Sequence, residues 1–357
     1  MNIDGLKRKV KSNPKLECIY MCLKSLSDED LAKQMVGTKR NPYNLIVSYY
    51  GEANPDKLIY YILFDKEARF NGFCSLYRLT LMHLAYAEDL NLVPVVCFGS
   101  DSLYYDSSVV DCNNAFDYYF EPVSEISSDE VLKSKNVIIS KGADAEAFGA
   151  AGTYSVPDEE IEFLSEYCKK YIKLNKKVKM AFWYEMQSIV SGGMTLGVHV
   201  RATDFNKGYN RHPVVVTPEE YLDKTKRVYA EHGYKKVFLA TDDERIIDIF
   251  KNEFQDNLFY YKGIYRSPDG EAIHYGNHKI ERDHHKYNLG LEIIKDFYTL
   301  GHCAGLIAGN SNVSMCSRIV KKSQGDEYRT LDIIDKGTNH NMHETRNKFG
   351  SMRKKNS

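Results

Sequence analysis

Met194-Thr195-Leu196-Gly197-Val198 runs directly into His199-Val200-Arg201-Ala202-Thr203-Asp204. The first five residues read as a buried β-strand, and the strand ends in a tautomeric ring, a cation and a carboxylate. Open α/β sheets bind their ligands at the C-terminal ends of strands. A guanidinium at that edge suits a phosphate or diphosphate, because its planar fork makes paired hydrogen bonds to such an anion. An Arg–Asp pair that merely closes the strand is the plainer alternative. The surrounding sequence has to decide between them.

Working outward, alternation of strand and helix patterns dominates. Downstream, 197–200, 236–240 and 305–308 read as strands, and 218–231, 244–254 and 288–301 as helices. Upstream, 45–50 and 58–64 are apolar, β-rich runs. Asn71-Gly72-Phe73-Cys74-Ser75 then opens a helical pattern over 76–90, followed by a strand at 93–98, a βαβ signature. A further strand is expected at 137–139 and long helices over 157–189. Two consecutive series of this kind predict an α/β protein with two Rossmann-like domains facing across a cleft. The expected division is 1–175, with a helical lead-in over its first 37 residues, then 176–336, then a polar, basic tail at 337–357.

Bulk properties narrow the function classes. The 357 residues are 43% hydrophobic and 27% charged with a formal net charge of −1, so no overall field favours nucleic acid. Local basic runs such as Lys176-Lys177-Val178-Lys179 read as solvated faces, which leaves room only for peripheral membrane contact. No apolar run approaches the ~20 residues of a membrane span, and the N-terminus lacks a signal-peptide core. The eight cysteines are scattered, with only Cys18 and Cys22 close together, and are read as free thiols of a cytoplasmic protein.

Three features join Arg201. Strand 236–240 ends in Thr241-Asp242-Asp243, acceptors that suit a nucleobase or ribose, with helix capping as the compatible alternative. Asp296 lies inside a helix, where it is either a base or ribose acceptor or a surface charge. Gly309-Asn310-Ser311-Asn312-Val313-Ser314 follows a strand and precedes a helix, a setting that turns N–H groups and hydroxyls towards an anion. Two metal readings are set aside. Asp28-x-Asp30 is better explained as a helix start. His274, His278, His284 and His285 sit in a charged stretch without a helical or cysteine partner, better read as a loop at the cleft rim. Phe182, Trp183 and Tyr184 are expected to pack in the core of the second domain, with an aromatic stacking on a sugar as the alternative.

These motifs carry a resemblance. Gly197-Val198-His199-Val200-Arg201-Ala202-Thr203-Asp204, Pro218-Glu219-Glu220-Tyr221, Val237 to Asp243, Asp296-Phe297-Tyr298-Thr299-Leu300 and the Ser311–Ser314 loop resemble, in order and separation, the nucleotide-binding half of the GDP-fucose-dependent fucosyltransferases. The likeness is nearest to the α1,6-fucosyltransferases, with the protein O-fucosyltransferases more distant. Asn71-Gly72-Phe73-Cys74-Ser75 matches a Gly/Asn-rich loop of the first half only loosely.

The resemblance implies a GT-B fold, an inverting and metal-independent mechanism, no cofactor, GDP-fucose as donor and a glycan hydroxyl as acceptor. Arg201 would hold the β-phosphate. His199 and Asp296 would contact guanine or ribose, Asp242 would orient the nucleotide, and Asp243 would support the helix start. Ser311, Asn312, Val313 and Ser314 would contact the diphosphate, with Asn71, Gly72 and Phe73 on the donor side. Two departures stand out. Ala202 replaces a second arginine, and 205–212 contains no acid where those enzymes carry a catalytic carboxylate. Asp204 and His212 are the bases that can be named. A GT-B transferase using another nucleotide sugar, and a catalytically silent nucleotide-sugar-binding protein, are the competing readings.

Overall fold

The computed structural model describes residues 19–20, 23, 46–109, 113–140, 155–203, 212–268, 270 and 282–340. The chain divides into two compact units, Met1–Ser48 and Tyr49–Ser357. The short strand β1 (Val47–Ser48) belongs to the first, and everything below concerns the second. The expected strand over 45–50 shrinks to those two residues among the described ones. Beyond them the chain turns, with Tyr50 N and Gly51 N both donating to Ser134 O at 3.1 Å, and Tyr49 stands exposed.

The first sheet of the large unit is parallel, with β2 (Ile59–Phe64) between β3 (Val93–Phe98) and β4 (Val137–Ile139). Both faces of β2 are buried, which is why it reads as a continuous apolar run. Helix α1 (Phe73–Asp89) makes the crossover from β2 to β3 and is buried over most of its circumference. Its aromatic end packs edge to face, with Phe73 against Phe98, Tyr104 and Tyr119 at ring separations of 5.0–6.1 Å. The single-turn helix α2 (Ser128–Val131) precedes β4.

Helix α3 (Asp158–Tyr171) and helix α4 (Lys176–Val190) fill the region expected to be helical. They are separated because Asn175 is spent on caps. Its Oδ1 accepts from Val178 N at 2.9 Å, while its Nδ2 donates to the carbonyls of Asp117 and Tyr118. One expectation fails on α4. Phe182 is buried, but Tyr184 is 84% exposed, because the helical period that turns Val178, Phe182, Met186 and Ile189 inward carries Tyr184 outward.

The second sheet is wholly parallel, in the order β7 (Leu258–Phe259), β6 (Lys236–Thr241), β5 (Thr195–Val200), β8 (Gly305–Gly309), β9 (Thr330–Ile334). Helices α5 (Pro218–Glu231), α6 (Glu244–Phe254), α7 (His285–His302) and α8 (Asn312–Ser323) cover it. Strands β7 and β9 lie outside the strands expected from sequence: β7 is too short, and the residues of β9 are half-buried or, at Leu331, exposed. Gly197 lets α7 lie close on β5. A Cβ there would come within 3.0 Å of Leu300 Cδ2 and 3.2 Å of Cys303.

Helices tie the two sheets together. α8 packs on α3 and α1, and α7 touches α1. Arg318 on α8 pairs with Asp158 on α3, and Tyr77 on α1 meets the Phe297 ring of α7 at 5.2 Å. Five cysteines, Cys74, Cys97, Cys168, Cys303 and Cys316, are free and buried.

Candidate functional site

The order β7–β6–β5–β8–β9 has a consequence at its centre. From β5 the chain proceeds to β6 and β7 on one side, then returns to the other side for β8 and β9. Successive crossovers therefore leave β5 and β8 in opposite directions, which opens a crevice at the carboxyl ends of those two strands. His199 is the penultimate residue of β5, and Ser311 caps α8 just beyond β8. Their side chains meet across the divide, with Ser311 Oγ 3.4 Å from His199 Nδ1. Burial, reinforced by the neighbouring Arg201 guanidinium, drives the His199 pKa down to about 3. The ring is neutral at any physiological pH, so it offers one donor and one acceptor rather than a charge.

Arg201 follows the end of β5, and its side chain is 23% exposed. Asp242, at the end of neighbouring β6, holds the turn in place. Its Oδ1 accepts from Ala202 N at 3.1 Å, and its Oδ2 accepts from Thr203 Oγ1 at 2.7 Å. Arg201 Nε lies 3.4 Å from the same Oδ2. The adjacent aspartates divide the work. Asp243 is buried and caps α6, accepting from Arg245 N and from the Arg245 side chain on its Oδ1 at 3.0 and 2.9 Å. Asp243 thus closes the start of α6, while Asp242 faces the turn that carries the arginine.

Asp296 lies on the face of α7 turned to this sheet and is not a surface charge. The residue as a whole is half-buried, but its Oδ1 is sealed from solvent and has no hydrogen-bond partner among the described residues. Burial pushes its carboxyl up to about 7, resisted chiefly by Arg266. Arg266 arrives from a loop that leaves β7 and crosses the end of β6, where Ser267 N donates to Asp242 O at 2.8 Å and Glu244 N to Ser267 O at 3.0 Å. Arg266 Nη1 donates to the carbonyls of Tyr261 and Ile264, but its Nε and Nη2 are buried without a partner among the described residues. Sequence reasoning missed Arg266 and Thr203. The only available signal was that Tyr260-Tyr261-Lys262-Gly263-Ile264-Tyr265-Arg266 continues past an apolar pair into a turn.

The remaining expected residues are scattered in role. Ser311 and Ser314 form a reciprocal cap, with Ser314 N donating to Ser311 Oγ and Ser311 N to Ser314 Oγ, both at 3.1 Å. Their hydroxyls are thereby committed to the helix start, and Asn312 and Val313 form its first turn. On the other sheet, Gly72 caps α1 and Asn71 precedes it, whereas Phe73 is 1% exposed and enclosed by aromatic rings, so its side chain belongs to the core. The His212 carbonyl accepts from Asn339 N at 2.8 Å. Asp204 lies outside the described residues, as do His274, His278, Asp28 and Asp30. His284 Nδ1 lies 2.8 Å from Ser108 Oγ, and His285 Nδ1 accepts from Arg282 Nε at 2.9 Å. Among the described residues no group of three or more His, Cys, Asp or Glu side chains is arranged to hold a metal ion. No described helix is long and apolar enough to cross a membrane.

No protein-family model matches the chain, and no curated protein sequence matches it. Solved structures do. The crystal structure of NodZ alpha-1,6-fucosyltransferase soaked with GDP-fucose aligns over 74% of this chain and 92% of its own, with 18% identity and a TM-score of 0.44. Fucosyltransferase NodZ from Bradyrhizobium gives 16% identity over 74% and 92%, with a TM-score of 0.41. POFUT1 in complex with GDP gives 10% identity over 78% and 99%, with a TM-score of 0.42.

Proposed function

We propose that this chain is a glycosyltransferase that moves fucose from GDP-fucose to a glycan hydroxyl, with inversion and without a metal, in the synthesis of a cell-surface polysaccharide. The observation that carries the reading is the crevice at the ends of β5 and β8, with neutral His199 and the Asp242-held turn of Arg201 at its edge. In this reading residues 176–336 form the donor domain and 1–175 the acceptor side, the two facing across a cleft, in the cytoplasm.

The chemistry follows from charge. As the bond between the anomeric carbon and the diphosphate breaks, positive charge develops on the sugar and negative charge on the departing phosphate. A fixed guanidinium directed at that phosphate stabilises the transition state more than the bound ground state. Arg201 takes this task alone, since Ala202 stands where related motifs hold a second arginine. Asp242 fixes the direction of the turn. The first turn of α8 adds the positive end of a helix dipole and unbonded backbone N–H groups near the diphosphate. His199 and Asp296 read the nucleoside, and Asn71 and Gly72 approach the donor from the other sheet. The incoming hydroxyl needs only a weak base late in the reaction, supplied by Asp204 or His212.

The test is release of GDP from GDP-fucose together with thermal shift. Slow hydrolysis of GDP-fucose is expected, with strong stabilisation by GDP and weak stabilisation by UDP at the same concentration. Equal stabilisation by the two would refute the donor assignment. Binding of GDP-fucose without any turnover would favour a silent binding protein.

A further inference from the structure

The outer face of α4 takes no part in the proposed transfer. Residues 169–179 carry six lysines, and no acid stands between Glu166 and Glu185. The six straddle the corner where α3 ends and α4 begins. Lys170 bonds Glu88 at 2.8 Å. Lys169, Lys173, Lys176, Lys177 and Lys179 are all exposed and make no ion pair among the described residues. Lys177 lies over the Tyr287 ring at 5.3 Å and Lys179 over the Trp183 ring at 4.8 Å. The flanking acids do little to neutralise them. Glu88 is taken by Lys170, Glu185 pairs with Lys295 at 3.5 Å, and only exposed Glu121, whose N donates to Lys173 O at 2.8 Å, stands beside the corner.

α4 holds this charge where its own backbone disfavours it. Helices α3 and α5 open on acids, Asp158, Glu159 and Glu160 in one and Glu219 and Glu220 in the other, which suit the positive end of the helix dipole. The first turn of α4 has no acid and carries Lys176, Lys177 and Lys179 instead. Apolar atoms share the same face. The period that buries Val178, Phe182, Met186 and Ile189 turns Lys176, Lys177, Met180 and Tyr184 outward. Met180 is 66% exposed and Tyr184 84%. A thioether and a phenol one turn apart, below a group of ammonium ions, match the layering of a bilayer surface. Apolar tips reach between headgroups while long lysine stems keep their charges at the lipid phosphates.

We propose that the outer face of α4, with the α3–α4 corner, docks this protein on an anionic bilayer surface. Met180 and Tyr184 enter the headgroup layer, and the unpaired lysines meet the lipid phosphates. The contact is peripheral and does not depend on the donor reading. Two other occupants fit this face less well. A second copy related by a two-fold axis would set the lysines against one another. Nucleic acid favours the forked guanidinium, and residues 79–200 contain no arginine.

The chain has a single tryptophan, Trp183, whose ring carries Lys179 at the edge of this face, so its emission reports on the contact. The experiment titrates the full chain with vesicles of one-third phosphatidylglycerol in phosphatidylcholine, and with phosphatidylcholine alone. Sedimentation and Trp183 emission are followed together. Binding to the anionic vesicles should be at least about tenfold tighter than to the neutral ones at ~50 mM salt, and largely lost at ~500 mM. Lipids brominated near the headgroup should quench Trp183. Each lysine near such a surface is worth about fivefold, so the double variant Lys176→Gln, Lys177→Gln should bind about tenfold more weakly or worse. Met180→Ser with Tyr184→Ser should weaken binding severalfold and leave its salt dependence unchanged. Lys176→Arg with Lys177→Arg should bind like the parent. All four positions are exposed, so melting temperatures should stay within ~2 °C. Failure to bind anionic vesicles, or equal binding to neutral ones, overturns the proposal. So does vesicle binding that leaves Trp183 emission unchanged and survives loss of both lysines, since the contact then lies elsewhere. Tighter binding to double-stranded DNA than to the anionic vesicles assigns the face to another class of polyanion.

Discussion

Asp296→Asn should make the protein more stable and a poorer binder of GDP. The carboxyl sits at about 7 in the folded chain against an ordinary 3.8. Between those values the folded state holds a proton that the unfolded chain has released, so stability falls as pH rises from about 4 to about 7 and is level beyond. At ~1.4 kcal/mol per pH unit the full loss is roughly 4 kcal/mol. The residue is only half-buried, although its Oδ1 is sealed, so solvent screening reduces this to an estimated ~2 kcal/mol. The attraction of Arg266 is already inside that balance, because the titration reflects burial net of its pull. Asparagine mimics the protonated acid and removes the slope. Thermal melts at pH 3 and pH 8 should show little change at the first and a gain of a few °C at the second, with less than half of that gain at pH 5. GDP affinity at pH 8 should drop about tenfold or more, the worth of a hydrogen bond to a charged group at ~1.5–3 kcal/mol. A melting temperature at pH 8 equal to or below the parent, or GDP affinity within twofold, would refute the reasoning.

Further outcomes are expected at other positions. Arg201→Ala should cut transfer by about 100-fold or more, comparable to removing one oxyanion donor, while the melting temperature stays within ~2 °C. Arg201→Lys should fail almost as badly, because a point charge does not reproduce the fork; activity within tenfold of the parent in either variant contradicts the assigned role. Transfer should survive a chelator undiminished, and loss restored by magnesium or manganese would show that a metal takes part. Gly197→Ala should destabilise by ~1–3 kcal/mol, since its methyl would meet Leu300 and Cys303 where backbone and helix are packed face to face. A denaturant midpoint unchanged from the parent would show that α7 can move aside.

What was legible in the sequence follows the range of the interactions involved. The central strands and their helices were readable because burial on both faces writes a local pattern, as in Leu196-Gly197-Val198 and Val237-Phe238-Leu239-Ala240. Residues at strand ends, His199, Arg201 and Asp242, were readable for the same reason: the end of an apolar run marks the edge of the sheet. Arg266 was not, because only the crossing of a loop over β6, pinned by Ser267 and Asp242, brings it to the site. Phe73 was misplaced because a glycine before a helix says nothing about which way the next ring turns. Tyr184 was misplaced because a run of three aromatics looks like core until the helix phase is fixed by Phe182.

The five buried thiols turn the fold into its own strain gauge. Only a thiolate reacts at a useful rate, and burial pushes Cys97 up to about 11 and raises Cys168, Cys303 and Cys316 as well. At neutral pH these sulfurs are protected twice over, by lack of access and by lack of charge. Cys74, Cys97 and Cys168 lie on α1, β3 and α3, Cys303 at the end of α7, and Cys316 within α8, where its Sγ donates to Cys74 O at 3.4 Å. A slow alkylating reagent added to the native protein would therefore label each of these five cysteines, among the eight of the chain, only as its own surroundings open. The order in which these five are labelled tells which part of the fold loosens first, and whether filling the crevice between β5 and β8 with GDP slows Cys303 alone or all five together.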